Sequence, residues 1–148
     1  MALRTKLSAL AVTAAVGGTL GLAASPASAA ANHWGEGLGT GYSNSRQADA
    51  EVSGALVTSD VYWNGYRVGV DGYVGDTKAD GLGAVAQVGY RYWNGSSWKW
   101  TTRNLAKASG GQGDHNGHKV HSLVKVKDLV VRACTANSGG LVNCSAWK

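Results

Sequence analysis

Two copies of Tyr-Trp-Asn-Gly, at residues 62–65 and 92–95, do most to limit what this chain can fold into. Asn-Gly is a strong short-range signal for a tight β-hairpin, because the central turn positions take φ values that few other residues accept. Val61–Trp63 and Tyr66–Val70 flank the first copy as β-forming runs. Around the second copy, Ala84–Trp93 alternates as a long strand, and Asn94–Ser97 turns it back into Trp98–Arg103. Val52–Val57, Val120–Val126, Leu129–Cys134 and Leu141–Trp147 read as further strands, with polar, Gly-rich loops at 75–83 and 106–117. No helical period of useful length competes after residue 30. Short strands with regular turn signals predict an antiparallel, immunoglobulin-like β-sandwich of seven or eight strands. The residues around the two Tyr-Trp-Asn-Gly copies do not match, so they mark similar turns and not a duplicated domain.

The first thirty residues carry a different signal. Arg4 and Lys6 precede an apolar stretch from Leu7 to about Ala24, and Pro26-Ala27-Ser28-Ala29 offers the small-residue spacing of a signal-peptidase site. No Arg-Arg pair is present, so general secretion is expected. The organisation predicted is a secretion signal over 1–30, a Gly-rich N-terminal arm over 31–50, and a β-sandwich over 51–148. No second apolar run is long enough to cross a membrane. Removing the signal leaves 12 basic against 9 acidic residues. That mild excess, with no basic stripe, argues against nucleic acid as a partner. Weak attraction to anionic wall polymers is compatible with it.

An exported chain with two cysteines should join them. Cys134 and Cys144 enclose a Gly139-Gly140 turn, and a hairpin centred on Gly139 sets them opposite each other. A three-residue loop with Gly140 in the left-handed region fits that register. Cys-x-x-Cys spacing is absent, so the pair reads as structural and not redox-active.

The aromatic residues are six Trp, six Tyr and no Phe. Every ring thus has a polar handle, which suits half-wet surfaces. If Trp93 pairs with Trp98, then Arg91 lies opposite Trp100. Strand alternation then places Arg91, Trp93, Trp98 and Trp100 on one face and Ala84, Ala86, Val88, Tyr90 and Tyr92 on the other. The first face could stack on sugars or dock a protein. Alternatively, its rings could fill the core in place of Phe. In the 31–50 segment, Trp34 and Tyr42 stand out: the segment is either a disordered leader or an arm that orders on a partner, with Trp34 as its anchor.

His115, His118 and His121 form the one histidine cluster, and with Asp114 they offer ligands of the type that bind zinc or copper. On a loop-to-strand transition this spacing does not by itself converge three imidazoles, so no metal or other cofactor is expected. Cleavage after Ala30 would expose Ala31-Asn32-His33, whose free amine and third-position His can chelate copper. Asp76–Gly81 begins like a calcium loop, but Lys78 stands where an oxygen ligand is needed, and a turn explains it better. Hydrolase elbows, zinc-protease motifs and phosphate loops are missing. The only glutamates are Glu36 and Glu51, both at the N-terminal side. A non-enzymatic role is expected.

The Ala27-Ser28-Ala29 signal end, the two Tyr-Trp-Asn-Gly turns and the Val131–Trp147 segment together resemble small exported β proteins of actinomycetes. The plan of arm plus compact β domain is similar to the adaptor subunit of secreted umbrella toxin particles. That resemblance implies an adaptor that joins secreted proteins through its N-terminal arm, with no individual contact residue carried over. Two other roles follow from the residues themselves. One is a cell-wall or carbohydrate-binding module using Trp93, Trp98 and Trp100. The other is an inhibitor of a secreted hydrolase, presenting the Ser109–Gly117 loop.

Overall fold

A computed structural model describes residues 33–148. The expected secretion signal and residues 31–32 lie outside the described residues. Nine strands follow in chain order: β1 Trp34–Glu36, β2 Asn44–Val52, β3 Ala55–Asn64, β4 Arg67–Asp76, β5 Gly83–Trp93, β6 Trp98–Ala108, β7 His115–Ser122, β8 Val126–Asn137 and β9 Gly140–Cys144. They form two antiparallel sheets with orders β1-β7-β4-β3-β2 and β6-β5-β8-β9. The predicted all-β sandwich is the observed architecture. Among the described residues, no helix is long and apolar enough to cross a membrane.

The core lies between the sheets and is built from alternate residues, as a two-faced strand requires. Val57 and Val61 on β3 and Val68, Val70 and Val74 on β4 face Val88 and Tyr90 on β5 and Val126 and Val131 on β8. Tyr90 is the largest side chain with no exposure at all. These valines and tyrosines favour strands because branched and aromatic side chains pack well on a pleated surface.

Four turns differ in detail from the expectation. Val52–Val57, read as one strand, holds the β2–β3 turn at Ser53 and Gly54, and Val120–Val126 holds the β7–β8 turn after Ser122, so Leu123 is a turn residue and not a strand residue. Asn64 pairs with Arg67, so the first hairpin turns on Gly65 and Tyr66, with Gly65 at φ +58°. Tyr66, read as the first residue of a strand, is instead the tip of the turn. In the last hairpin Asn137 pairs with Gly140, giving a two-residue loop in place of the expected three. A register shift between Thr135 and Ala136 restores the opposition of Cys134 and Cys144, which form the disulfide. The second Tyr-Trp-Asn-Gly turn follows the expected register: Asn94 Oδ1 accepts from the amides of Ser96 and Ser97, and Trp93 lies opposite Trp98.

The N-terminal segment differs most. From residue 34 onward it does not project as an arm but completes one sheet. β2 is the edge strand beside β3, and β1 pairs with β7 through Trp34↔Ser122 and Glu36↔Val120. Trp34 is 5% exposed, edge-to-face with Tyr90 at 5.2 Å. Its burial, the pairing with β7 and the hydrogen bonds of Gly37 with Lys119 and His121 together oppose the entropy of fixing the glycines. Tyr42, half-buried, donates from its hydroxyl to Leu38 O at 2.5 Å. It lies over Gly69, where a Cβ would come within 2.7 Å of that hydroxyl.

Candidate binding face

The outer face of the β6-β5-β8-β9 sheet gathers the side chains most suited to a ligand. Strand pairing builds three rows across β6, β5 and β8: Trp100–Arg91–Lys127, Thr102–Gly89–Val130 and Asn104–Gln87–Arg132. Arg91, Trp93, Trp98 and Trp100 do share this face, opposite the inward Val88 and Tyr90. Trp100 is 50% exposed, and Trp93 and Trp98 are half-buried against each other at 5.6 Å. The reading in which these rings fill the core is thereby set aside.

Local irregularities hold the rings in place. Gly89 leaves a gap that Trp100 fills: a Cβ there would lie 2.5 Å from Trp100 Cζ2 and 3.1 Å from Trp147 Cη2. Trp147 meets Trp100 edge-to-face at 6.1 Å. It is carried by residues 145–148, which extend the sheet past β9 through paired hydrogen bonds between Val131 and Lys148. The Arg132 guanidinium lies 4.2 Å above the Trp147 ring and donates to Gln87 Oε1 from Nε and Nη2 at 2.9 and 2.6 Å. Gln87 in turn donates to Asn104 Oδ1 at 2.7 Å. The result is a polar chain across three strands beside an aromatic pair.

A bulge in β8 shapes the other half of the face. Asp128, at φ +53°, is the one non-glycine residue with positive φ among the described residues. Aspartate tolerates that region better than most side chains. The bulge sets Lys127 4.5 Å over the Trp98 ring and brings Asp128 within 3.8 Å of Arg91. Tyr66, from the β3–β4 turn, reaches across to Trp98 at 5.1 Å.

Other expected site residues lie elsewhere. Trp34 is in the core and is removed as a surface anchor, and Tyr42 packs on its own sheet. The three histidines diverge because alternate strand residues face opposite ways. His115 and His121 point outward, and about 20 Å of strand separates them. His118 points inward and is buried. Among the described residues, no three His, Cys, Asp or Glu side chains are placed to hold a metal. In the Ser109–Gly117 stretch, Asp114 Oδ2 accepts from the amides of Ser109 and Gly110, and β7 begins at His115. Those two bonds hold the Asp114 carboxyl below its ordinary pKa.

His118 has a partner that sequence reading missed. Its Nε2 lies 3.0 Å from Ser59 Oγ, across the intervening β4 at Gly72. With no side chain at Gly72, the two groups can meet over that strand. Burial pushes the His118 pKa down to about 4. The pair is therefore a neutral hydrogen bond, with Ser59 fully buried and His118 at the wall of an open cleft that Asp71, Gly72 and Arg103 also line. Arg103 also points inward, from the free edge strand β6, a placement that discourages edge-to-edge pairing. Trp147 and Arg132 were missed as well, because their meeting with this face depends on the pairing of β5 with β8, which joins positions 45 apart. Gln87 and Asn104 face each other in the same hairpin register as Trp93 and Trp98, and were missed because neither residue type alone signals a site.

No protein-family model matches this chain, and neither a curated protein nor a solved structure matches it.

Proposed function

We propose that this chain is a secreted, non-catalytic binding module whose ligand is a carbohydrate or cell-wall polymer. The observation that carries the reading is the Trp100 ring, seated over Gly89, half exposed, and flanked by Trp147 and the Arg132–Gln87–Asn104 chain. A sugar ring presents an apolar face bordered by hydroxyls. An indole surface beside fixed donors and acceptors complements both parts. The donors are already tied to one another, so little side-chain freedom is lost on binding. Export is supported by the expected signal and by the disulfide, which forms in oxidising compartments.

The test is calorimetric titration of the processed protein with soluble wall polysaccharides and their oligosaccharides. Trp100→Ala should weaken binding at least about tenfold while thermal unfolding stays nearly unchanged. Full affinity in that variant would overturn the assignment of the face. An adaptor role between secreted proteins, as in a toxin complex, is a second reading on this same surface. It is favoured by the combination of exposed Trp, Tyr and Arg that marks protein hot spots. With Trp34 in the core, such docking moves from the N-terminus to this face. Stoichiometric co-purification of a protein from culture fluid, lost in Trp100→Ala, distinguishes it from sugar binding.

A further inference from the structure

The two ends of the sandwich carry opposite charge. At one end meet the β3–β4, β5–β6 and β7–β8 turns, joined by hydrogen bonds from Val126 N to Tyr66 O and from Trp93 N to Lys125 O. Residues 63–68, 91–99 and 122–128 hold Arg67, Arg91, Lys99, Lys125 and Lys127 against a single acid, Asp128. That acid is already engaged by Arg91. At the other end, residues 51–55, 74–84 and 107–115 hold Glu51, Asp76, Asp80 and Asp114 against Lys78 and Lys107. The modest net charge of the chain therefore conceals a pronounced dipole along the strands.

The cationic end also exposes large apolar side chains. Leu123 is 60% exposed at the β7–β8 turn, and Tyr66 is 50% exposed at the neighbouring hairpin tip. Between them runs an open cleft of about 440 Å³, lined by Tyr66, Arg67, Leu123, Val124 and Lys125. Trp93 and Trp98 stand behind Tyr66. An exposed leucine and tyrosine in one cleft with arginine and lysine, and tryptophan against that tyrosine, suit the two layers of a bilayer surface. Aromatic rings with polar handles settle at the headgroup level, and long cationic side chains reach the phosphates. A protein or polysaccharide partner would not require that layering.

We propose that this turn end is a peripheral docking surface for an anionic lipid bilayer. Leu123 and Tyr66 enter the headgroup region while Arg67, Lys99, Lys125 and Lys127 contact lipid phosphates. The acidic end faces away, so the dipole orients the approach. The site shares Trp98 and Lys127 with the proposed sugar-binding face but does not include Trp100.

Sedimentation of the processed protein with vesicles tests this, comparing phosphatidylcholine alone with vesicles containing one third phosphatidylglycerol. The expected result is binding to the anionic vesicles only, weakened by 0.5 M salt, with a blue shift in tryptophan emission. Leu123→Asp and the double change Arg67→Glu/Lys125→Glu should each reduce it at least about tenfold. All three positions are turn residues or strand termini, and circular dichroism verifies that the variants fold. Trp100→Ala should bind vesicles normally, which separates failure here from failure of the sugar-binding reading. Equal binding to neutral vesicles, no binding to anionic ones, or undiminished binding by both variants would overturn the proposal. So would self-association through this end, or capture of soluble polyphosphate with vesicles ignored.

Discussion

Trp34 on β1 and Trp100 on β6 each set an indole edge-to-face against a second aromatic ring, at 5.2 Å from Tyr90 and 6.1 Å from Trp147. The first is 5% exposed and the second 50%. Trp34 reaches the space between the sheets from the edge of one of them and meets Tyr90 of β5 across it. Trp100 sits on the far side of that second sheet, over a glycine, with the last residues of the chain beside it. Similar ring geometry thus serves two ends: closing a core in one case and presenting a surface in the other. What decides between them is which side of the β5–β8 sheet the ring occupies, and not the ring contact itself.

The largest effect expected from this contrast is on stability. Trp34→Ala removes a core indole from an edge strand of three residues, so it should destabilise the fold by about 3–5 kcal/mol. Chemical denaturation would measure this, and a loss below about 1 kcal/mol would show that β1 contributes little to the core. Trp34→Phe should recover most of the difference.

Acid should act on the buried side next. His118 is neutral in the fold, with a pKa of about 4 against an ordinary 6.5. Above pH 6.5 both folded and unfolded chains carry it neutral, and it contributes no pH dependence. As pH falls from 6.5 toward 4, only the unfolded chain takes up the proton, so stability drops by up to about 3 kcal/mol. His33, lowered by burial as well, adds in the same direction. Denaturation midpoints at pH 7 and 4.5 should therefore differ in the native protein, and the difference should shrink in His118→Gln to what His33 and the carboxylates contribute. An unchanged difference in that variant would place the acid sensitivity elsewhere.

The smallest effect belongs to the surface side. Trp100→Ala should change unfolding free energy by no more than about 1 kcal/mol, since half the ring is already in water. A larger loss would mean that Trp100 is a structural lid on Gly89, and the contrast with Trp34 would narrow to one of degree.

The all-β class, the β5–β6 hairpin, the disulfide and the pairing of Trp93 with Trp98 were legible in the sequence because hairpins are local. Alternation and an Asn-Gly signal suffice to place Arg91 opposite Trp100. Trp34 was not legible. Its partner strand is β7, some 85 residues onward, and glycines carry no period that announces a strand. The Arg132–Gln87 contact and the Ser59–His118 bond were hidden for the same reason: each needs two distant strands to be neighbours. Tyr66 failed more narrowly, by a one-residue shift in a turn, and that shift turned a strand residue into an exposed tip.

β1 has one further consequence. It closes its sheet with three residues, fills the core with one side chain, and is joined to β2 by residues 37–43, where Gly37, Gly39 and Gly41 all take positive φ. The connection is held along with the strand: Gly37 N donates to Lys119 O, and Gly37 O lies 2.9 Å from His121 Nδ1. β1 therefore works as a latch, fastened by its indole inside the sandwich and by its glycine link along the β7 edge, and the part of the chain ahead of β2 should open locally at a lower free energy than the sheets it closes.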